Sequence, residues 1–308
     1  MNLEAWPAGA ANFGKLVTRI VFTGPTTFVA TDELGMAIGV DLGTQRELWR
    51  FNPAYYSGDT AALPGGAQLL TGAEERLLRR VDAASGRDEA SWLLPEDVNN
   101  LEDIVLAPDG RLALLQVGLR VDDGEGIYGW SVITGYMMWD LEEGRLLWRD
   151  YGGRDYAAAG CFSLDGRDVM LPRLGGRPQR EWRDVRTGEV TRSFERPDTY
   201  GTYAMFGSGE RALVELSGRR LVLLDVTTGG CEPLPGSEGH LCIVAAKGYR
   251  ALTVTLDGQL MLWDLAAGRL VDQLLPAAAQ AGYPGAFLPD GSGMVLALVD
   301  GSFLTLRF

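Results

Sequence analysis

Six times along this chain an aspartate closes a short apolar run and a glycine turn follows it. The copies are Val40-Asp41-Leu42-Gly43, Val81-Asp82-Ala83-Ala84-Ser85-Gly86, Trp139-Asp140-Leu141-Glu142-Glu143-Gly144, Arg183-Asp184-Val185-Arg186-Thr187-Gly188, Leu224-Asp225-Val226-Thr227-Thr228-Gly229 and Trp263-Asp264-Leu265-Ala266-Ala267-Gly268. Successive aspartates lie 41, 58, 44, 41 and 39 residues apart. Such a period means one supersecondary unit used repeatedly, each copy burying its faces on its neighbours. It constrains the fold far more firmly than the function.

The unit itself reads from residues 239 to 275. Leu241 to Val244 is a short apolar strand, and Ala246 to Tyr249 is a turn. Arg250 to Thr255 is a second strand, followed by Asp257-Gly258, the pair that tight hairpins favour. Gln259 to Asp264 is a third strand, and Arg269 to Leu275, with polar residues interspersed, a fourth. Four short antiparallel strands repeated radially are the blades of a β-propeller. A seventh copy begins at Ala286 and stops at Phe308 after its third strand. The expectation is therefore an all-β, seven-bladed propeller over residues 1–308, a single domain. Its last blade is completed by the N-terminal segment, through Leu3 to Trp6 or residues up to Lys15, because closure removes two exposed sheet edges at once.

Blade six resembles a WD40 repeat along its whole length. It has Gly239-His240 at its start, Thr253 and Thr255 on the second strand, Asp257-Gly258 at the turn and Trp263-Asp264 closing the third strand. The resemblance implies a hydrogen-bonded structural set of His240, Thr253 or Thr255, Asp257 and Trp263. Other blades depart from it: blade three keeps Trp139-Asp140 without a histidine, and His240 is the only histidine in the chain. The stretches from Asp41 to Trp49 and from Asp140 to Trp148 look instead like the repeat of quinoprotein-type propellers, in which a Trp follows the Asp and its Gly turn.

Composition narrows the function classes. The formal charge of −13, from 41 acidic and 28 basic residues, repels phosphate backbones and anionic headgroups. This argues against nucleic acid and membrane as partners and suits a basic protein partner. No run of eighteen apolar residues and no basic, apolar leader is present, which points to a cytoplasmic protein. Cys161, Cys231 and Cys242 are odd in number and widely spaced, against a disulfide framework or zinc site. No nucleophile elbow, phosphate loop or zinc-protease motif occurs. Asp122-Asp123-Gly124-Glu125-Gly126 lacks the ligand spacing of a calcium loop and reads as a solvated turn. No cofactor or metal is expected.

Two features point to recognition of another protein. The interval from Asp82 to Asp140 carries about fifteen extra residues between the second and third strands of blade three. It predicts a long β-hairpin insertion at about 118–131 that bears Tyr128 and Trp130, placed either to grip a partner or to pack over a neighbouring blade. Tyr55, Tyr56, Tyr151, Tyr156, Tyr200, Tyr203 and Tyr283, seven of ten tyrosines, fall in blade-to-blade connections, which open on the same face as that hairpin. Loops carry binding on a rigid scaffold, and tyrosine joins a rigid apolar body to a hydrogen-bonding tip. The reading is a non-catalytic protein-interaction scaffold. The alternative is a small-molecule-binding or hydrolytic propeller using its central channel, against which first strands such as Asp103 to Leu106 and Cys161 to Ser163 read as mostly apolar or small.

Overall fold

A computed structural model of the chain describes residues 1–32, 36–51, 60–73, 76–121, 131–151, 160–172, 179–195, 203–206, 211–216, 220–255, 257–274 and 281–308. These form seven four-stranded antiparallel sheets and, among the described residues, no α-helix. The fold is a seven-bladed β-propeller. The chain groups into two compact units, the first holding Met1–Glu33, Ala37–Phe51 and Pro197–Phe308, the second Leu34–Met36 and Asn52–Arg196.

The second unit contains blades two to four. Blade two is β6 (Thr60–Ala62), β7 (Gln68–Ala73), β8 (Leu77–Asp82) and β9 (Asp88–Leu93). Blade three is β10 (Val98–Leu106), β11 (Leu112–Val121), β12 (Ser131–Asp140) and β13 (Arg145–Tyr151). Blade four is β14 (Cys161–Phe162), β15 (Asp168–Pro172), β16 (Gln179–Asp184) and β17 (Val190–Glu195). Successive strand residues point to opposite faces, and both faces of blade three are covered. Ala113, Leu115, Val117, Met137 and Trp139 pack with Leu70 and Leu78 of blade two. Leu112, Leu114, Tyr136 and Met138 pack with Phe162, Val169 and Leu171 of blade four. This double burial is why the middle strands read as continuous apolar runs without alternation.

The first unit contains the rest. Blade one is β2 (Val17–Phe22), β3 (Thr27–Asp32), β4 (Ala37–Asp41) and β5 (Arg46–Phe51). Blade five is β18 (Tyr203–Phe206), β19 (Arg211–Leu216), β20 (Arg220–Asp225) and β21 (Cys231–Pro233). Blade six is β22 (His240–Lys247), β23 (Arg250–Thr255), β24 (Leu260–Asp264) and β25 (Arg269–Leu274). Blade seven is β26 (Ala281–Phe287), β27 (Gly293–Leu298), β28 (Phe303–Arg307) and, on its outer edge, β1 (Asn2–Ala5). The expected closure is present: Asn2, Leu3, Glu4 and Ala5 pair with Arg307, Leu306, Thr305 and Leu304. Trp6 donates its indole N–H to Thr305 Oγ1 at 3.1 Å, and its ring lies 5.3 Å from Phe303 and 6.0 Å from Phe28 of blade one. The amine of Met1 pairs with Asp272 of blade six.

The repeating aspartate has a local job. Asp184 Oδ1 accepts the amides of Arg186 at 2.9 Å and Thr187 at 2.8 Å; Asp225 accepts those of Thr227 at 2.8 Å and Thr228 at 2.9 Å. Asp140 and Asp264 each hold two turn amides in the same way. Four residues after each aspartate the chain enters the left-handed region, at Gly86, Gly144, Gly188, Gly229 and Gly268. Blade one keeps the spacing without the glycine. There the positive φ of 57° falls on Gln45 and not on Gly43, so the turn glycine of the first copy is not the residue that needs to be glycine.

Those glycines also seat a tryptophan. Trp148, at the outer strand of blade three, donates to Val185 O at 2.9 Å in the turn of blade four. Its ring lies so close to Gly188 that a Cβ there would fall 2.8 Å from it. Trp92 of blade two meets Gly144 of blade three in the same manner, at 2.6 Å. Glycine is therefore required twice over at these turns, for its φ and for the indole it accommodates.

Candidate interaction surface

The hairpin of blade three departs from its neighbours in length. β11 and β12 pair without interruption from Leu112↔Asp140 to Val121↔Ser131, ten pairs, whereas β23 and β24 of blade six make five. β10 pairs with β11 as far as Leu119, so most of the added length belongs to the sheet of the blade. Tyr128, Trp130 and the acidic turn at 122–126 lie outside the described residues, as do Tyr55, Tyr56, Tyr156 and Tyr200. Tyr151 is the last residue of β13, paired through its backbone with Gly135; Tyr203 opens β18 opposite Val214. Both border connections. Tyr283 lies inside β26, between the paired residues Ala281 and Gly285, and not in a connection.

The blade-six set divides into two contacts. Trp263 donates its indole N–H to Thr253 Oγ1 at 2.9 Å, with both side chains fully buried. Two residues further along, Thr255 donates to Asp257 and receives the amide of Gln259 at 2.9 Å. The Thr255 hydroxyl holds the Asp257 carboxyl below the usual carboxylate range. The backbone of His240 stands opposite Thr255. In blade three, Ala113 and Leu115 occupy the register positions of Ala251 and Thr253. With leucine there, the buried Trp139 indole N–H has no acceptor among the described residues.

Sequence reasoning missed a polar seam between blades three and four. Arg180 on β16 is 5% exposed, beside Tyr136 of β12 and Cys161 of β14. Burial holds its guanidinium down at about 10 and pushes the Cys161 thiol up to about 12. Burial likewise raises the Tyr136 phenol, against the opposing field of Arg180. Outside it, Arg183 Nη2 pairs with Asp150 of β13 at 2.7 Å and with Glu181 at 2.9 Å. The available signal was the run Gln179-Arg180-Glu181-Trp182-Arg183, the most polar of the third strands. Nothing local in that run distinguishes a buried arginine from an exposed one.

The first strand of blade three is longer than the sequence reading gave it. β10 begins at Val98, five residues earlier than Asp103, and brings in Asn99, Asn100 and Glu102. Asn99 and Glu102 are exposed, and Gln116 donates to Glu102 at 2.9 Å. Its second half, Ile104 to Leu106, is apolar as expected, while its first half adds polar positions. Among the described residues, no three His, Cys, Asp or Glu side chains are grouped closely enough to hold a metal ion.

The molecule is thus a repeat protein of the seven-bladed propeller class. It is similar in shape to the β-propeller domain of Cps50 (Swd1) from Myceliophteria thermophila, with a TM-score of 0.73 over 100% of both chains and 13% identity. No protein-family model and no curated protein matches the sequence. Identity at that level speaks for the fold alone, and propellers host many unrelated functions.

Proposed function

We propose that this chain is a non-catalytic, cytoplasmic scaffold that binds another protein through its tyrosine-bearing connections and the blade-three hairpin. The observation that supports this best is the ten-pair β11–β12 ladder. β10 pairs with β11 as far as Leu119, so the lengthened end of blade three is held in the sheet, and a preordered surface loses little entropy on binding. The partner surface is read as Tyr55, Tyr56, Tyr128, Trp130, Tyr151, Tyr156, Tyr200, Tyr203 and Tyr283, and the charge of −13 favours a basic partner. Affinity capture from a lysate of the source organism, with mass spectrometry, tests it. Stoichiometric retention of one or two proteins is expected, lost when Tyr55, Tyr56, Tyr156 and Tyr200 are replaced by alanine without loss of thermal stability. Capture that survives all four substitutions refutes the assignment.

A second reading has one observation in its favour, the polar stretch Asn99 to Asp103 on β10. It would suit a small polar ligand held at the first strand of blade three. Tight small-molecule binding abolished by Glu102→Ala, with no protein captured, would favour this reading over the scaffold.

A further inference from the structure

The first strand of blade four is two residues long. β14 is Cys161–Phe162, with Gly160 before it and Ser163 after it outside the strand, and it pairs with Met170 and Val169 of β15. Among the described residues, the other first strands make three to seven pairs with their second strands, seven of them in blade three. Backbone pairing therefore holds β14 more weakly than any of these.

Side chains add one large anchor. Phe162 enters the core shared with blade three, while Cys161 is small. The chain reaches β14 through Ala157-Ala158-Ala159-Gly160, which offers no bulky side chain. Beyond the strand, the Ser163 amide donates to Asp168 O at 2.8 Å. Ser163 Oγ accepts the Asp168 amide at 3.0 Å and donates to Asp165 at 2.7 Å. Close to Cys161 lies the buried guanidinium of Arg180, whose charged form burial disfavours. Water that reaches this group restores part of its hydration, which lowers the cost of opening.

We propose that β14 is a strap that leaves blade four by local opening, without unfolding of the propeller, and so admits water and small solutes to the Cys161 and Arg180 side chains. Segments with few pairs and few buried anchors open at a free energy below that of global unfolding. The strap belongs to blade four alone and does not rest on the scaffold reading.

Cys161 reports the opening. In the closed state its thiol is buried and pushed up to about 12, so alkylation waits for exposure. The full chain is treated with excess iodoacetamide at about pH 8, near the ordinary thiol value, and alkylation of each cysteine is followed by mass spectrometry over a series of low urea concentrations. Ala113→Cys, at a fully buried position of β11, reports global unfolding; should that variant not fold, urea unfolding of the parent supplies the same reference. Cys161 is expected to react about tenfold faster than position 113 or more, at a rate nearly flat in urea, because a local opening exposes little surface. Ser163→Ala should speed Cys161 about tenfold, the scale of the hydrogen bonds it removes. Thr253→Val, in blade six, should speed position 113 and leave Cys161 unchanged. Alkylation of Cys161 that climbs with urea as global unfolding does, that rises with Thr253→Val, or that runs as fast as in the unfolded chain overturns the proposal.

Discussion

Replacing Thr253 by valine keeps the shape of the side chain and removes a single acceptor. Trp263 and Thr253 are both fully buried, so the indole N–H cannot turn to water. A buried donor left without a partner costs about 1–3 kcal/mol. With a urea dependence of about 3 kcal/mol per molar, the unfolding midpoint should fall by roughly 0.3–1 M. Blade three supplies the reciprocal experiment, because Trp139 already carries that deficit with Leu115 at the threonine's register position. Leu115→Thr loses about two buried carbon groups, about 1.6 kcal/mol at about 0.8 each, but brings an acceptor to the Trp139 indole. In a Trp139→Phe background that compensation is absent and the new hydroxyl is itself unpaired. Leu115→Thr should therefore cost about 1–3 kcal/mol more there than in the parent, a coupling that a double-mutant cycle isolates. Urea unfolding followed by far-UV circular dichroism measures all four proteins. A coupling near zero, or a Thr253→Val variant as stable as the parent, refutes the reasoning.

Deleting residues 1–14 removes the β1–β28 ladder and the Trp6 contacts to Thr305, Phe303 and Phe28; the melting temperature should drop by several degrees, and an unchanged value would sink the closure. Gln45→Gly relieves a left-handed residue and should raise stability by up to about 1 kcal/mol in the same urea assay. A loss would show that the Gln45 side chain contributes more than its backbone costs. The carboxyls of Asp41, Asp82, Asp184 and Asp225 are held below 3.8, the first two chiefly by side-chain hydroxyls and the others chiefly by turn amides. A depressed folded-state value means stabilisation that is complete above the ordinary carboxylate value and lost as pH falls through the lower one. Melting temperature should therefore fall below about pH 4, less steeply in Asp225→Asn, and identical acid profiles would count against these turns as the cause.

What could be read from the sequence was what local chemistry writes into it. Asp184 and Asp225 cap amides two and three residues on, so the cap leaves an Asp and a Gly at fixed spacing, and six of the seven blades could be counted from them. The N-terminal closure followed from arithmetic, since the seventh copy ran out one strand early. The buried Arg180 had no such signature, because its surroundings come from Tyr136 and Cys161 on different strands. The early start of β10 was hidden for a related reason: Asn99, Asn100 and Glu102 interrupt the apolar run that marked the other strands. Gln45 escaped notice because Gly43, two residues earlier, seemed to satisfy the pattern.

The two-faced packing of blade three has a consequence for how damage spreads. Ala113 and Leu115 belong to the core shared with blade two, while Leu112 and Leu114 belong to the core shared with blade four. Among the described residues, each of these two cores is a seam held jointly by neighbouring blades. Opening one blade therefore strips an apolar wall from each side at once, and its neighbours lose cohesion in turn, as in a row of arches that lean on common piers. An excised blade has no seam to fill and should not hold its sheet alone.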